Sequence, residues 1–526
     1  MISGIEDRCF PARQVRILIL IVIFVLASVS VAAAAKMPKY SLVNSNVWWI
    51  LMISDAHLGA EDRALVPPSQ KPKTPGCSDR LRWAVNDAYH IYTPQSVINL
   101  GDLTDQLTAD IPNMGQWNEY WGIVNGAGLV AKVQGAPIYA DMPGNHDQYY
   151  LTNPPPDPLI NYLDYSASGT LFNKQRYASW PASIRGGEYL FVTTNTTNSQ
   201  MTLPGVDDAN SCPGSIDADE LLFIRNTIKQ SKADLIFTFG HHPVAKGFWG
   251  AVDEGRDAFI DILSRYSVSM YVYGHTHAID YIEPYFYNRT LYYNVKSLCF
   301  DMQYALIAID NNAISTTDAV VNKWPVVLIT APTDKYLGRG NPFTDTYTVY
   351  SSNSNPVRSL VFCDPNYAGV QSVKLSIDGT DVGIMNPVSA NEHLWEGYFD
   401  ASSLSLNKEH KIAVSAECAL LSNDVPPNIV AGSNTITVEV KAGQPGKMTG
   451  KVHAGAAAGP GLAGATVECA RHRTSTSRNG SFTLPNIPPG FQKVTISKPG
   501  FVPLSLIASI PPGQAYNAGD LWLQPQ

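Results

Sequence analysis

The chain has 526 residues, of which 45% are hydrophobic and 16% charged, and its formal net charge is −8. This length predicts three or four domains, and the apolar fraction is ample for folded cores. The negative charge argues against a nucleic-acid-binding protein, which would present a basic face.

The amino terminus has the pattern of an export segment. Arg8, Arg13 and Arg16 precede an apolar run over residues 17–31, and four alanines follow at 32–35. These are the basic, apolar and small-residue parts of a signal peptide. We therefore predict a signal peptide over residues 1–35. An uncleaved signal anchor is the alternative, because the apolar and small residues run for 19 positions. Either form predicts a secreted, periplasmic or outward-facing anchored protein.

Five short clusters of metal-ligating residue types follow, most of them directly after an apolar run that predicts a β-strand. They read Asp55-Ala56-His57, Gly101-Asp102, Gly144-Asn145-His146-Asp147, Gly240-His241-His242-Pro243 and Gly274-His275-Thr276-His277. Aspartate, asparagine and histidine are ligands of hard to borderline divalent cations. Since ligands past the carboxyl ends of strands converge at one edge of a sheet, we expect a two-metal site.

The predicted elements between these clusters alternate. Strands are expected at residues 47–53, 97–100, 235–239 and 270–273, and helices at 79–92, from 217 to about 230, and at 258–266. The helix near 217 begins with a capping box, Asp217 to Glu220. A long aromatic-rich loop is expected over residues 148–181. Its aromatic residues either stack on an organic leaving group or pack an irregular cap: Tyr149, Tyr150, Tyr162, Tyr165 and Trp180.

The order of the five clusters resembles the signature of the calcineurin-like metallophosphoesterases, over about residues 45–310. The resemblance implies an α/β fold in which a β-sandwich is flanked by helices. It also implies a binuclear enzyme that hydrolyses phosphate mono- or diesters through a metal-activated hydroxide. The cofactors are then two divalent or trivalent metal ions, with Fe, Mn and Zn all suited to the ligand types.

The resemblance assigns a role to each position. The first metal takes Asp55, His57 and His277, the second takes Asn145, His241 and His275, and Asp102 bridges both. His146 resembles the family's non-ligand histidine, which assists the leaving group or stabilises the phosphoryl oxygens. Asp147 is expected to orient the ring of His146 by accepting its other N–H.

Two further features of the sequence bear on this assignment of ligands. His241 and His242 compete for one ligand role, and the family pattern places the ligand two residues before the proline, which favours His241. His242 is then left to line the pocket or to hydrogen-bond a substrate oxygen. Asp105 stands where purple acid phosphatases carry a tyrosine ligand, which argues against a tyrosinate–iron site.

From about residue 322 the pattern changes to short alternating strands, which predict β-sandwiches. Residues 324–330, leading to residues 375–379, resemble the Ig-like module that follows the phosphoesterase domain in the transmembrane protein 62 family. Residues 444–526 resemble the carboxypeptidase regulatory-like, transthyretin-like sandwich. The expected domains after the export segment are therefore a phosphoesterase domain (36–321), an Ig-like sandwich (322–443) and a carboxypeptidase regulatory-like sandwich (444–526).

Cysteine positions fit an exported protein without fixing the disulfides. Cys363 and Cys418 have a spacing that suits an inter-sheet bridge, and Cys77 and Cys212 lie in loops that they could staple. Free buried thiols are the alternative for each pair.

The partner predicted from this pattern is a small phosphoester substrate, with no nucleic acid. The N-terminal segment could anchor the chain to a membrane, and the C-terminal module could contact a surface or a polysaccharide. The alternative function is a cell-surface or matrix-binding protein in which the β-modules carry the main role. The complete ligand set favours the enzyme.

Overall fold

The structure is a computed structural model that describes residues 47–526, apart from 63–71, 73–75, 106–113, 149–156, 186, 198–212, 246–249, 278–284, 288–289, 338–347, 353, 389–390, 421–428 and 471. The predicted export segment lies outside these residues. Within them, no helix has both the length and the apolar character that a membrane crossing requires.

The first thirteen strands lie between residues 47 and 320. They are β1 (Val47–Ile53), β2 (Ser96–Asn99), β3 (Lys132–Val133), β4 (Ala136–Pro137), β5 (Tyr139–Asp141), β6 (Ala178–Ile184), β7 (Gly187–Thr193), β8 (Leu235–Phe239), β9 (Met270–Tyr273), β10 (Tyr285–Tyr287), β11 (Thr290–Asn294), β12 (Gln303–Asp310) and β13 (Ala313–Val320). The α-helices of this region are Cys77–Trp83, Tyr89–Tyr92, Met114–Gly126, Ile160–Tyr165, Ala167–Leu171, Ala218–Gln230 and Arg256–Arg265. A π-helical turn, Ala84–Ala88, joins the first two, and 3₁₀ turns cover Ala60–Asp62 and Asn145–Asp147.

Two sheets pack face to face in this region. Their strand orders are β13-β12-β1-β2-β5 and β10-β11-β9-β8-β7-β6. Strand β1 is buried on both sides, because Trp48, Ile50 and Met52 enter the core between the sheets while Trp49 and Leu51 enter the core under the helices. Burial on both faces explains why the strand is a continuous apolar run. The observed α/β sandwich with flanking helices confirms the predicted fold class.

Most of the predicted elements occur close to their expected bounds. Strands β1, β8 and β9 coincide with the predictions. Asp217 caps the helix Ala218–Gln230, since its side chain accepts a hydrogen bond of 2.8 Å from the backbone N–H of Glu220. The side chain of a capping aspartate satisfies one of the backbone donors that the first turn leaves free.

The described part of the aromatic segment 148–181, residues 148 and 157–181, contains regular structure in place of the expected loop. It contains two short helices and the start of β6. Tyr162 and Trp180 are buried, and the ring of Trp180 stacks on that of Phe191 at 5.5 Å. These two residues therefore pack the core instead of facing a ligand. Tyr149 and Tyr150 lie outside the described residues.

The remaining strands form two further sandwiches. The strands are β14 (Val326–Ala331), β15 (Thr348–Tyr350), β16 (Asn355–Phe362), β17 (Tyr367–Ile377), β18 (Thr380–Ile384), β19 (Asn386–Val388), β20 (Asn391–Phe399), β21 (Lys408–Leu420), β22 (Ile429–Lys441), β23 (Gly446–Ala454), β24 (Thr466–Cys469), β25 (His472–Ser475), β26 (Ser481–Ile487), β27 (Gly490–Ser497), β28 (Leu504–Ile510) and β29 (Ala515–Leu523). Sheets β14-β16-β20-β19 and β15-β22-β21-β17-β18 enclose one core, and sheets β26-β23-β29 and β25-β24-β27-β28 enclose another. These are the two all-β sandwiches that the sequence predicts.

Two disulfides join distant parts of the described chain. Cys363–Cys418 links the two sheets of the sandwich that β14 to β22 form, as its spacing predicts. Cys77 pairs with Cys299, 222 residues away, and so links distant parts of the first region as expected. Its partner is not Cys212, the residue with which the sequence pattern grouped it. Cys212 lies outside the described residues.

A chain of ion pairs connects the three regions. Arg358 in β16 donates from Nε to Oδ2 of Asp310 in β12 at 2.8 Å, and its Nη1 lies 4.0 Å from Oε2 of Glu396 in β20. Lys493 in β27 donates to Oε1 of Glu396 at 2.8 Å. Arg358 is 1% exposed and Asp310 is 0% exposed. The charges of Arg358 and Asp310 are therefore kept out of water, and each depends on the other across two regions.

Arg358→Met should lower the free energy of unfolding by about 3–5 kcal/mol, because it leaves the buried carboxylate of Asp310 without its cation. Arg82→Met is the matched control, because Arg82 pairs with Glu119 at the surface, where the two side chains are 51% and 40% exposed respectively. This substitution should change the free energy of unfolding by about 1 kcal/mol or less. Chemical denaturation of the two variants measures the difference. Equal losses would show that Asp310 does not depend on Arg358.

Candidate metal centre

The seven predicted ligands lie in loops at the carboxyl ends of five strands. Asp55 and His57 follow β1, Asp102 follows β2, Asn145 follows β5, His241 follows β8, and His275 and His277 follow β9. Strands β1, β2 and β5 run parallel in one sheet, and β8 and β9 run parallel in the other. The loops therefore meet where the carboxyl edges of the two sheets face each other, which corrects the expectation of one sheet edge.

The backbone of these loops is unusual. Five of the ligand residues have positive φ angles: Asp55 (52°), His57 (42°), Asp102 (50°), His275 (68°) and His277 (49°). The left-handed conformation costs a non-glycine residue of the order of 1–3 kcal/mol, and such strain clusters at functional sites. The fold therefore accepts strain at the same residues that the sequence pattern selects.

Two glycines allow the loops to approach each other. A Cβ on Gly101 would lie 2.8 Å from Nδ1 of His241, and a Cβ on Gly144 would lie 2.1 Å from Oδ1 of Asp102. Neither distance leaves room for a side chain. The glycines of the Gly-Asp and Gly-Asn-His-Asp motifs are thus required by close packing around Asp102.

One group of ligand atoms surrounds Asp55. Nε2 of His277 lies 3.2 Å from Oδ1 of Asp55 and 3.2 Å from Nε2 of His57. Nε2 of His57 lies 3.4 Å from Oδ2 of Asp102. These are the ligands that the sequence assigns to the first metal.

A second group surrounds Asn145. Its Oδ1 lies 3.1 Å from Nε2 of His241 and 2.9 Å from Nδ1 of His275. Nε2 of His241 also lies 3.1 Å from Oδ2 of Asp102. The same carboxylate oxygen of Asp102 therefore faces both groups, which is the arrangement expected of a bridging ligand.

The donor set fits metal ions. Nδ1 of His241 faces the carbonyl of Leu100 at 2.8 Å, and Nδ1 of His57 faces Oδ1 of Asp105 at 3.0 Å. Both partners are acceptors, so each Nδ1 carries the proton, and in the neutral ring Nε2 presents a lone pair. These lone pairs point at other acceptor atoms, an arrangement that a cation between them stabilises.

The electrostatics around Asp102 favour a positive charge beside it. Burial opposes the charge on Asp102, but His241, His146 and His57 hold the pKa of that carboxyl well below its usual range. Burial also opposes the charge on His241, yet Asp102 and Asp55 raise the pKa of His241 to about 9. A metal ion bound here would take the place of a proton, since a ligating imidazole is neutral.

Asp147 does not have the role expected for it. Its Oδ2 accepts hydrogen bonds from the backbone N–H groups of Gly144 (2.8 Å) and Leu103 (3.1 Å), and its Oδ1 accepts from the N–H (3.0 Å) and hydroxyl (3.2 Å) of Thr104. Asp147 therefore ties the loop after β2 to the loop after β5. The prediction that it orients the ring of His146 is corrected accordingly.

Asp105 is the carboxylate that contacts His57 and lies near the ring of His146. Its Oδ1 accepts from Nδ1 of His57 at 3.0 Å and lies 3.5 Å from Nδ1 of His146. Asp105 is fully buried, and its backbone N–H donates to Oε1 of Gln116 at 2.9 Å. One carboxylate thus faces both a predicted ligand and the predicted non-ligand histidine. Its position three residues after Asp102, in the same polar loop, is the signal that could have identified it.

Thr196 is a second residue that sequence reasoning missed. Its hydroxyl contacts the backbone N–H groups of His241 and His242 at 3.1 Å each. It lies in a polar run, residues 193–197, that begins at the last residue of β7. Strand β7 is parallel to β8, so its carboxyl end reaches the same edge.

The matches to known families agree with this geometry. Residues 49–278 match the calcineurin-like phosphoesterase family, and residues 447–524 match the carboxypeptidase regulatory-like domain. These matches confirm the two resemblances drawn from the sequence motifs.

Two known proteins are similar to this chain. Transmembrane protein 62 of Mus musculus is 25% identical over 351 residues, which are 64% of this chain and 48% of that protein. The chain thus spans about half the length of this relative. A dimetal phosphatase from Danio rerio, of solved structure, is 12% identical with a TM-score of 0.39, covering 52% of this chain and 95% of that one.

Asp105→Asn should weaken metal binding about 10–100-fold, as is typical when the carboxylate partner of a ligating histidine is removed. Asp147→Asn is the matched control with the same change of charge. It should instead lower the free energy of unfolding by about 1–3 kcal/mol, because backbone donors lose an acceptor. Metal titration by calorimetry and urea unfolding separate the two effects. A larger loss of metal affinity in Asp147→Asn than in Asp105→Asn would show that Asp147, and not Asp105, supports the predicted ligands.

Proposed function

We propose that the calcineurin-like phosphoesterase domain of this chain hydrolyses small organic phosphate mono- or diesters outside the cytoplasm. Residues 49–278 match the calcineurin-like phosphoesterase family, and this match supports a metal-dependent phosphoester hydrolase. The observation that carries the proposal is the shared carboxylate, with Oδ2 of Asp102 3.4 Å from Nε2 of His57 and 3.1 Å from Nε2 of His241.

The residues of the site would bind the metal ions and set the charge that an anionic substrate meets. When bound, two metal ions supply charge neutralisation for the phosphoryl oxygens and an activated water as the nucleophile. Asp102 would hold the two ligand groups together. Asn145 contributes a neutral oxygen, which leaves the site more positive for an anionic substrate. Fe, Mn and Zn all suit this mixture of carboxylate, amide and imidazole ligands.

His146 is placed to act on the leaving group. Its backbone N–H donates to Oδ1 of Asp102 at 2.9 Å, which fixes the residue beside the shared carboxylate. Its ring packs edge-to-face on that of His57 at 4.6 Å, and its Nδ1 lies 3.5 Å from Oδ1 of Asp105. A nearby carboxylate favours the protonated imidazole. A protonated ring can then donate to the departing alkoxide.

Access to the site supports an organic substrate. The side chain of His277 is 14% exposed, while the other six predicted ligands are 3% exposed or less. The half-buried ring of Phe300 stacks on His277 at 4.8 Å and contacts His57 at 5.1 Å. Solvent therefore reaches the ligands beside an aromatic surface. We propose that the organic group of the substrate lies against Phe300.

Two features support a location outside the cytoplasm. The described residues contain two disulfides, Cys77–Cys299 and Cys363–Cys418, and disulfides form and persist in oxidising compartments. The predicted export segment over residues 1–35 agrees with this. Secretion of the protein carrying its own N-terminal segment, followed by sequencing of the mature amino terminus, tests the proposal. Retention of the folded protein in the cytoplasm would contradict it.

A substrate panel tests the reaction. Purified protein loaded in turn with Zn²⁺, Mn²⁺ or Fe should hydrolyse nitrophenyl and alkyl phosphate mono- or diesters. Asp102→Asn is the control for contaminating phosphatases, because it removes the anionic ligand that both groups share and should abolish activity. Absence of turnover on every ester with every metal would contradict the proposed function.

His146→Asn should retain metal and slow turnover about 10²–10⁴-fold, the usual contribution of a general acid. The loss should be larger for an alkyl ester, whose leaving group needs a proton, than for a nitrophenyl ester, which departs without one. Metal content and kcat on the two esters check this. Equal losses would argue against leaving-group protonation, and loss of metal would make His146 a ligand.

A further inference from the structure

The hydroxyl of Thr196 determines which nitrogen of His242 carries the proton. Its oxygen lies 3.1 Å from the backbone N of His241, 3.1 Å from the backbone N of His242, and 2.8 Å from Nδ1 of the His242 ring. A hydroxyl has two acceptor lone pairs and one donor hydrogen. The two backbone N–H groups use both lone pairs, so the O–H of Thr196 donates to Nδ1 of His242.

A ring that accepts at Nδ1 carries its proton on Nε2. Nε2 of His242 is therefore an N–H donor and cannot ligate a metal in this arrangement. It is buried and has no hydrogen-bond partner among the described residues. Leaving a buried donor unsatisfied costs about 1–3 kcal/mol, so a ligand that supplies an acceptor would recover this energy.

The position of His242 is held from several sides. The hydroxyl of Tyr271 donates to the carbonyl of His242 at 2.8 Å. A Cβ on Gly214 would lie 2.8 Å from Cγ of the His242 ring, so the ring packs directly against the glycine backbone. Both His242 and Thr196 are fully buried. The ring therefore has little freedom to turn and exchange its two nitrogens.

His242 borders the second group of predicted ligands. A ring nitrogen of His242 lies within 4.8 Å of ligand atoms of both His241 and His275. Its ring centroid is 4.9 Å from that of His241 and 4.5 Å from that of His275. A molecule bound at the second group of ligands would therefore lie close to the ring of His242 and could supply an acceptor to Nε2.

We propose that His242 is a neutral donor that binds a phosphoryl oxygen of the substrate through Nε2–H, with Thr196 as the positioning residue that fixes this tautomer. The inference rests on the proposed function, since it names the atom of the chain that holds the phosphoryl group. It also separates the two adjacent histidines, because His241 presents a lone pair at Nε2 while His242 presents a hydrogen.

Two substitutions of His242 test the donor. His242→Gln keeps an N–H group near the position of Nε2, and His242→Leu removes it at similar volume. Both variants should keep the metal content of the native protein. His242→Leu should weaken the binding of inorganic phosphate to the metal-loaded protein about 10–100-fold, the range for a hydrogen bond to a charged group. His242→Gln should stay within several-fold of the native protein.

Two substitutions of Thr196 test the positioning. Thr196→Ser keeps the hydroxyl, and Thr196→Val replaces it with a methyl group of similar size. Nitrogen-15 NMR of the zinc-loaded protein, with His242 assigned by comparison with His242→Gln, should show the Nε2-protonated tautomer in the native protein and in Thr196→Ser. Thr196→Val should lose that signature and bind phosphate as weakly as His242→Leu.

The outcomes distinguish this inference from the proposed function. Loss of metal in His242→Leu would make His242 a ligand, and native-like phosphate affinity in that variant would show that Nε2–H does not reach a phosphoryl oxygen. A proton on Nδ1 in the native protein would overturn the role of Thr196. Each of these results is compatible with hydrolysis of the ester panel by the native protein and so overturns this inference alone, whereas an inactive native protein contradicts the proposed function on which the inference rests.

Discussion

The site depends on one buried carboxylate that two groups of histidines share. Asp102 is 1% exposed, and its Oδ2 faces His57 on one side and His241 on the other. A buried charge is tolerated only when it is paired and hydrogen-bonded. The strained loops and the close glycines follow from this requirement, because they bring ligand atoms from two sheets within about 3 Å of one oxygen.

The rest of the first region supports that geometry. Cys299 donates from its backbone N–H to the carbonyl of Asp55 at 3.2 Å, and Arg80 donates to the carbonyl of Cys299 at 2.9 Å. The disulfide from Cys77 fixes the same loop to the start of a helix. Asp147 and Thr196 hold the neighbouring loops through backbone N–H groups. Supporting contacts of this kind keep a site within the small tolerances that catalysis needs.

The sequence predicts the seven proposed ligands better than it predicts the residues that hold those ligands in place. The seven predicted ligand positions follow from the resemblance of the five motifs to the calcineurin-like family, and strands β1, β8 and β9 follow from apolar runs. The supports depend on how separate loops meet: Asp105 contacts His57 over 48 positions, and Thr196 contacts His242 over 46. Cys299 and Cys77 are 222 residues apart. No local pattern encodes these distances. The prediction for Asp147 rests on its position beside His146 in the sequence, whereas in the structure Asp147 accepts from backbone N–H groups and Asp105 lies 3.5 Å from Nδ1 of His146.

We propose that these seven side chains hold two metal ions, with Asp102 between them. Anomalous diffraction from crystals of the metal-loaded protein, collected on either side of the absorption edge, tests it most directly. We expect two anomalous peaks about 3.5–4 Å apart, one beside Asp55, His57 and His277 and one beside Asn145, His241 and His275, with Asp102 in contact with both. A single peak, or peaks that Asp102 does not reach, would contradict it.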